Sequence, residues 1–82
     1  MKLSDIKVGH KYKYWIDDDI FIEQVVYIGN DRVSVVIIKP QRGGSKVGDT
    51  LSESTEKYLS YFKEFRYTRL KDFKEYADWD KG

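Results

Sequence analysis

The chain has no cysteine and only one proline, one histidine and one methionine among its 82 residues. Without cysteine, neither disulfides nor a thiolate metal cluster adds stability. A chain this short, near the lower limit for folding unaided, must rely on its core. Cysteine-free composition suits a reducing compartment. A lone histidine provides no metal-ligand cluster, and no Ser/His/Asp spacing suggests a nucleophilic triad. The chain also lacks any apolar run approaching the roughly 18 residues of a membrane span. Its start, MKLSDIKVGHKYKYW, has no apolar stretch of signal-peptide length. The expectation is a soluble, cytoplasmic protein with no membrane partner. Nor does one charge sign dominate: 15 basic residues face 14 acidic ones, balanced in both halves. Proteins that coat nucleic acid ordinarily carry a basic excess, so any such role rests on a local patch.

What the chain does have is aromatic weight, 13 Phe, Trp and Tyr residues in all. In a small domain these serve first as core. HKYKYWI alternates with period two, setting Tyr12, Tyr14 and Ile16 on one face and Lys11, Lys13 and Trp15 on the other. FIEQVVYIG and RVSVVIIKP follow, joined by Asn30-Asp31, residues that tolerate a primed two-residue turn. That turn pairs Ile28 with Val33 and Val26 with Val35. Carrying the pairing further places Gln24 opposite Ile37, so a bulge near Glu23-Gln24 is expected. Pro40 ends the third strand. Strands are thus expected at about 10–16, 21–29 and 32–39. Leu3, Ile6 and Val8 form a lead-in that plugs one end.

The period changes in the second half. Thr50-x-x-Glu53 with Ser52 and Ser54 is helix-start chemistry. EKYLSYFKEF then aligns Tyr58, Leu59, Phe62 and Phe65, with Glu53 to Lys57 as a favourable i,i+4 pair. TRLKDFKEYADW, with Thr68 as N-cap, aligns Leu70, Phe73 and Ala77. One bent helix or two short ones are expected, at about 53–65 and 69–79, with any break near Arg66-Tyr67-Thr68. The tripeptide KVG occurs at 7–9 and again at 46–48. Its flanks differ, so it marks no repeat; each copy leads out of a turn into the next element.

The expected class is α+β, mainly β. The residues IKVGHKY, the IGNDRV hairpin and KVGDT after a variable loop resemble those of an SH3-like small antiparallel β-barrel or curled sheet. The chain also resembles short proteins of phages and mobile elements that join such a barrel to an aromatic helix. A single domain is implied, with a barrel over about 3–50 and a helical, aromatic-rich part over about 51–80. Such a fold hosts unrelated functions, so the resemblance says little about the task.

KPQRGGSKVGDT is the one loop with chemical character. Its order of glycines, lysine and aspartate departs from the phosphate-binding G-x-x-x-x-G-K-[ST], and no G-x-G-x-x-G occurs. Lys39, Arg42 and Lys46 nonetheless precede the first acid, Asp49, and glycines let backbone N–H groups approach a phosphate. The plainer reading is a solvated connector. Asp17, Asp18 and Asp19 lack the spacing of a calcium loop and read as a hairpin tip. Beside them Trp15 points away from the Tyr12/Tyr14 face, a good interface anchor. His10 at a strand entrance reads as a satisfied or solvated imidazole. Nothing selects a catalytic pair from the 14 carboxylates, so no enzyme activity and no cofactor are expected.

Eight aromatics lie between Tyr58 and Trp79, more than one small sheet can bury. The leading expectation is therefore a non-catalytic protein-binding module. It would grip its partner through Trp15, Asp17, Asp18 and Asp19, through Tyr67, Tyr76 and Trp79, or through both. The mobile-element resemblance extends this to stoichiometric inhibition of a host or defence protein. The alternative is nucleic-acid binding by Lys39, Arg42 and Lys46 with Arg66, Arg69, Lys71 and Lys74. It requires both basic strips on one face, away from the acidic tip. A structural homo-oligomer, such as a homodimer, is the third reading.

Overall fold

A computed structural model describes residues 6–16, 18–40, 44 and 46–69. Three strands form where the alternation places them: β1 (Lys11–Ile16), β2 (Asp19–Ile28) and β3 (Arg32–Lys39). The sequence then yields two strands that its helical punctuation concealed, β4 (Thr50–Ser54) and β5 (Arg66–Arg69), flanking the helix α1 (Thr55–Glu64). All pairings are antiparallel, in the order β4-β3-β2-β1-β5. The described strands make an open sheet with β4 and β5 at its edges, and the class is α+β, mainly β.

The β2–β3 hairpin closes where expected. Gly29 N–H donates to Arg32 O at 2.8 Å, which leaves Asn30-Asp31 as the loop, and Ile28 faces Val33. Further along, two register shifts occur, between Ile22 and Glu23 and between Val25 and Tyr27. The first lies one residue from the expected bulge. The second corrects the expected pairing: Val25, not Val26, faces Val35, and Val26 is extruded to 41% exposure.

Residues directly opposite in an antiparallel pair share a face. One face therefore gathers Tyr12, Tyr14, Glu23, Val25, Val33, Val35 and Ile37, all buried, with Leu51 and Glu53 from β4 continuing it. Ile6 of the lead-in joins this core, whereas Val8 is 57% exposed at a turn tip and Leu3 lies outside the described residues. Helix α1 covers the face. Its N-cap is Ser54, whose Oγ accepts from Lys57 N–H at 3.2 Å, so the cap lies four residues beyond Thr50 of the Thr50-x-x-Glu53 pattern. Leu51 and Glu53 alternate with exposed polar residues and pair with Val35 and Val33, so pairing with β3 overrides that local signal.

The helical periodicity is otherwise as expected. Tyr58 is buried, and Leu59, Phe62 and Phe65 pack on the core. The Phe62 ring stacks on Tyr14 with centroids 6.0 Å apart and meets Tyr58 edge-on at 5.3 Å. Glu53 and Lys57 do form an ion pair, 3.6 Å apart, but across the strand–helix junction and not along a helix. At Phe65 the backbone turns extended, and β5 returns beside β1. The expected break near Arg66-Tyr67-Thr68 is thus a strand, not a helix joint, and Thr68 is no N-cap. The second helix, expected at 69–79, lies outside the described residues beyond Arg69.

Candidate functional site, a ring-lined cavity between helix and sheet

Between α1 and the sheet lies a cavity of about 360 Å³. Rings of Tyr14, Phe21, Tyr58, Tyr61 and Phe65 line it, with the aliphatic Val33, Val35 and Leu51 and two carboxylates, Glu23 and Glu53. Each wall follows from the register just described. β1 and β2 bring Tyr14 opposite Phe21, and β3 and β4 bring Val33 opposite Glu53 and Val35 opposite Leu51. α1 supplies Tyr58, Tyr61 and, past its end, Phe65.

The polar centre is a three-residue cluster. Tyr58 donates its hydroxyl to Glu23 Oε1 at 2.9 Å, and Tyr14 donates to the Tyr58 hydroxyl at 3.2 Å. Glu23 is 5% exposed. Burial raises its pKa from an ordinary 4.5 to about 7, while hydrogen bonds from Tyr14 and Tyr58 pull the other way. Burial, reinforced by the Glu23 charge, pushes both phenols upward. Glu23 is therefore the one group of the cluster whose charge changes near neutral pH.

In the sequence Glu23 stands out only as a neighbour of the expected bulge. The available signal was its phase: in FIEQVVYI it alternates with Phe21 and Val25, so a carboxylate sits on the inward-facing rank. Tyr58 was legible as core, but not as the donor to that carboxylate. This pairing joins residues 35 apart, and no local pattern encodes it.

The residues singled out in the sequence are placed as follows. Trp15 is half-buried on the face away from Tyr12 and Tyr14, with Lys13 Nζ 4.9 Å from its ring centroid. Lys13 itself is buried, as is its cross-strand partner Ile22, so this second face is also covered there. Asp18 is exposed; Asp19 accepts from Ile20 N–H at 2.9 Å and lies 4.0 Å from Lys39 Nζ. Lys39 also donates to Ile20 O at 2.9 Å. The first lysine of the basic loop thus folds onto the acidic turn and does not stand clear of it.

Lys46 N–H donates to Asp49 Oδ2 at 2.9 Å, and Gly48 N–H to Ile37 O at 2.8 Å. A carboxylate and a carbonyl thus occupy the positions an anion would take. Arg69 is half-buried with Nη2 2.9 Å from His10 Nε2. A guanidinium only donates, so that imidazole nitrogen accepts, and His10 is satisfied within the fold. In the β1–β5 register Arg66 stands opposite Trp15 and Tyr67 opposite Tyr14, so both are strand residues. Asp17, Arg42, Lys71, Lys74, Tyr76 and Trp79 lie outside the described residues. Among the described residues no His, Cys, Asp and Glu group could hold a metal ion, and no helix is long and apolar enough to cross a membrane.

Comparison of the chain with protein-family models, with curated proteins and with solved structures found no match. Functional assignment therefore rests on the residues themselves.

Proposed function

We propose that this chain is a non-catalytic protein-binding module that takes an extended segment of its partner along β4 and one of that segment's side chains into the ring-lined cavity. The supporting observation is that the cavity wall includes Leu51 and Glu53 of β4, an edge strand of the described sheet. Thr55 N–H donates to Asp31 O and Ile37 N–H to Asp49 O, at either end of the β3–β4 ladder. By antiparallel alternation, Leu51 and Glu53 turn their amides toward β3, and Thr50 and Ser52 turn theirs outward. Outward amides next to a pocket are the two parts of strand addition: main-chain bonds supply affinity, and the pocket supplies selectivity. A four-strand meander with a fifth strand beside the first is compatible with an SH3-like small barrel, and we adopt that description for the fold.

The grip is assigned to β4 in preference to Trp15, whose ring is already half-covered and carries Lys13. Nucleic-acid binding by Lys39 and Lys46 is not favoured, because the lysine head of one and the amide of the other are engaged by Asp19 and Asp49.

The test is selection of extended peptides from a random library, followed by amide chemical-shift mapping. Binders should shift Thr50 and Ser52, protect their amides, and be lost in Ser52→Pro. Proline at an outward-facing edge position removes no β3–β4 ladder bond, so that variant should remain folded. Binders that map to Trp15 and Asp18, or a library that yields none, would overturn the assignment.

A further inference from the structure

Which side chain the cavity takes follows from the chemistry of its lining. Two carboxylates face the space, Glu23 from β2 and Glu53 from β4. No lysine or arginine occurs among the described lining residues. Lys57, which pairs with Glu53 at 3.6 Å, is an exposed side chain and does not line the cavity. The rest of the wall is aromatic and aliphatic, and its rings are steeply inclined to one another: 67° between Tyr58 and Tyr61, 63° between Tyr14 and Phe21. Rings so inclined offer π faces from more than one side. A π face attracts a cation, more strongly when the cation is desolvated. An anion would meet two carboxylates and negative ring faces. A neutral apolar group would leave Glu23 without compensation.

We propose that the cavity is a selectivity pocket for a basic side chain of the bound segment, whose aliphatic stem lies along Val33, Val35 and Leu51 and whose cationic head reaches the Glu23 carboxylate. This rests on the cavity being the binding site. Among the described residues no cation pairs with Glu23, whose Oε1 accepts from the Tyr58 hydroxyl. The same hydroxyl keeps one carboxylate oxygen fixed, so the site is held in place before the ligand arrives. The volume, about 360 Å³, lies at the lower end of small-ligand pockets and suits a single side chain better than a larger molecule.

Binding should also depend on pH. A lysine-type ammonium stays charged through neutrality, whereas Glu23 ionises near 7, so affinity should rise from pH 6 to pH 8. The two phenols facing Glu23 leave this window clear. Burial pushes Tyr14 from β1 and Tyr58 from α1 to far higher pH, β3 contributes valines, and β4 contributes Glu53, which Lys57 pairs at 3.6 Å.

The test uses n-butylammonium as a lysine side-chain probe, with n-pentanol as neutral and valerate as anionic controls of similar length, followed by amide shift mapping on the full chain. Butylammonium should saturate shifts at Glu23, Leu51 and Phe65, with valerate inert and pentanol at least tenfold weaker. Glu23→Gln, which keeps the Tyr58 hydrogen bond, should weaken butylammonium about tenfold and abolish the rise between pH 6 and pH 8. Pentanol binding as tightly as butylammonium, valerate binding better, or Glu23→Gln binding unchanged would each overturn the proposal. The peptide selection separates the two ideas. Selected peptides with an apolar or acidic residue at the pocket position would leave strand addition standing and sink the basic pocket. Butylammonium binding without any peptide addition at β4 would do the reverse.

Discussion

Glu23 is the residue at which folding and binding pull in opposite directions. Below pH 4.5 its carboxyl is protonated in the folded and unfolded chain alike and carries no penalty. As pH rises from 4.5 to about 7 the unfolded chain gives up the proton while the folded chain keeps it, so stability falls. Above about 7 both are ionised, and the full penalty of about 3 kcal/mol remains. Glu23→Gln should therefore flatten the stability profile and, at pH 8, exceed the wild type by up to about 3 kcal/mol. Urea unfolding at pH 4, 6 and 8 measures this, and a wild type more stable at pH 8 than at pH 4 would contradict it. Tyr58→Phe has the opposite character. It removes the donor to Glu23 Oε1 and the acceptor for the Tyr14 hydroxyl at once. A loss of about 1–3 kcal/mol is expected for partners left buried. The Glu23 midpoint should also move above 7, since the lost hydrogen bond was holding it down; NMR titration of the Glu23 carboxyl reads that shift directly.

At the level of elements, the two KVG tripeptides show how much a short pattern can carry. Each forms the same turn, closed by His10 N–H to Lys7 O at 3.3 Å and by Asp49 N–H to Lys46 O at 3.1 Å. Each glycine has a φ near +90°, 91° at Gly9 and 89° at Gly48, the third position of a type II turn. An added Cβ meets nothing within 4 Å at either site, so any cost of substitution is backbone strain alone. Gly9→Ala and Gly48→Ala should each destabilise by roughly 1–2 kcal/mol, with Asn milder than Ala, by thermal unfolding. Ser54→Ala should cost about 1 kcal/mol through the lost cap, whereas Thr50→Ala, at the expected but unused cap, should be near neutral. The strands β1 to β3 and the ring face of α1 were legible because alternation and helical spacing are local. β4 and β5 were not: five and four residues long, they hold too few apolar positions to show a period. They are strands because β3 and β1 offer them a ladder. Val26 was misplaced for a related reason. A bulge moves every later residue to the other face, and nothing in EQVVYI says which valine is the extra one.

Across the whole molecule, the order β4-β3-β2-β1-β5 sets a gradient of protection from centre to edge. β2 lies between two partners and carries Val25, which is fully buried and whose N–H donates to His10 O at 3.0 Å. Opening that bond requires separating β2 from the lead-in and unpacking the face under α1, which amounts to unfolding the core. β4 has one described partner, and its outward amides at Thr50 and Ser52 belong to exposed residues. They lose protection through local motion alone. Helix α1 belongs with the core and not with the edge, because a helix of ten residues is marginal by itself and is held by Tyr58 and Phe62 against Tyr14. Hydrogen exchange at pH 6 should therefore rank Val25 slowest, the amides of Tyr61 and Phe62 within a small factor of it, and Thr50 and Ser52 fastest by several orders of magnitude. Addition of a strand-forming peptide should slow Thr50 and Ser52 and leave Val25 unchanged, since the core is already closed in the free chain. Exchange that is uniform across β2 and β4, or protection at Ser52 in the free chain matching that at Val25, would mean that β4 is covered by another part of the protein and is not the edge at which a partner adds.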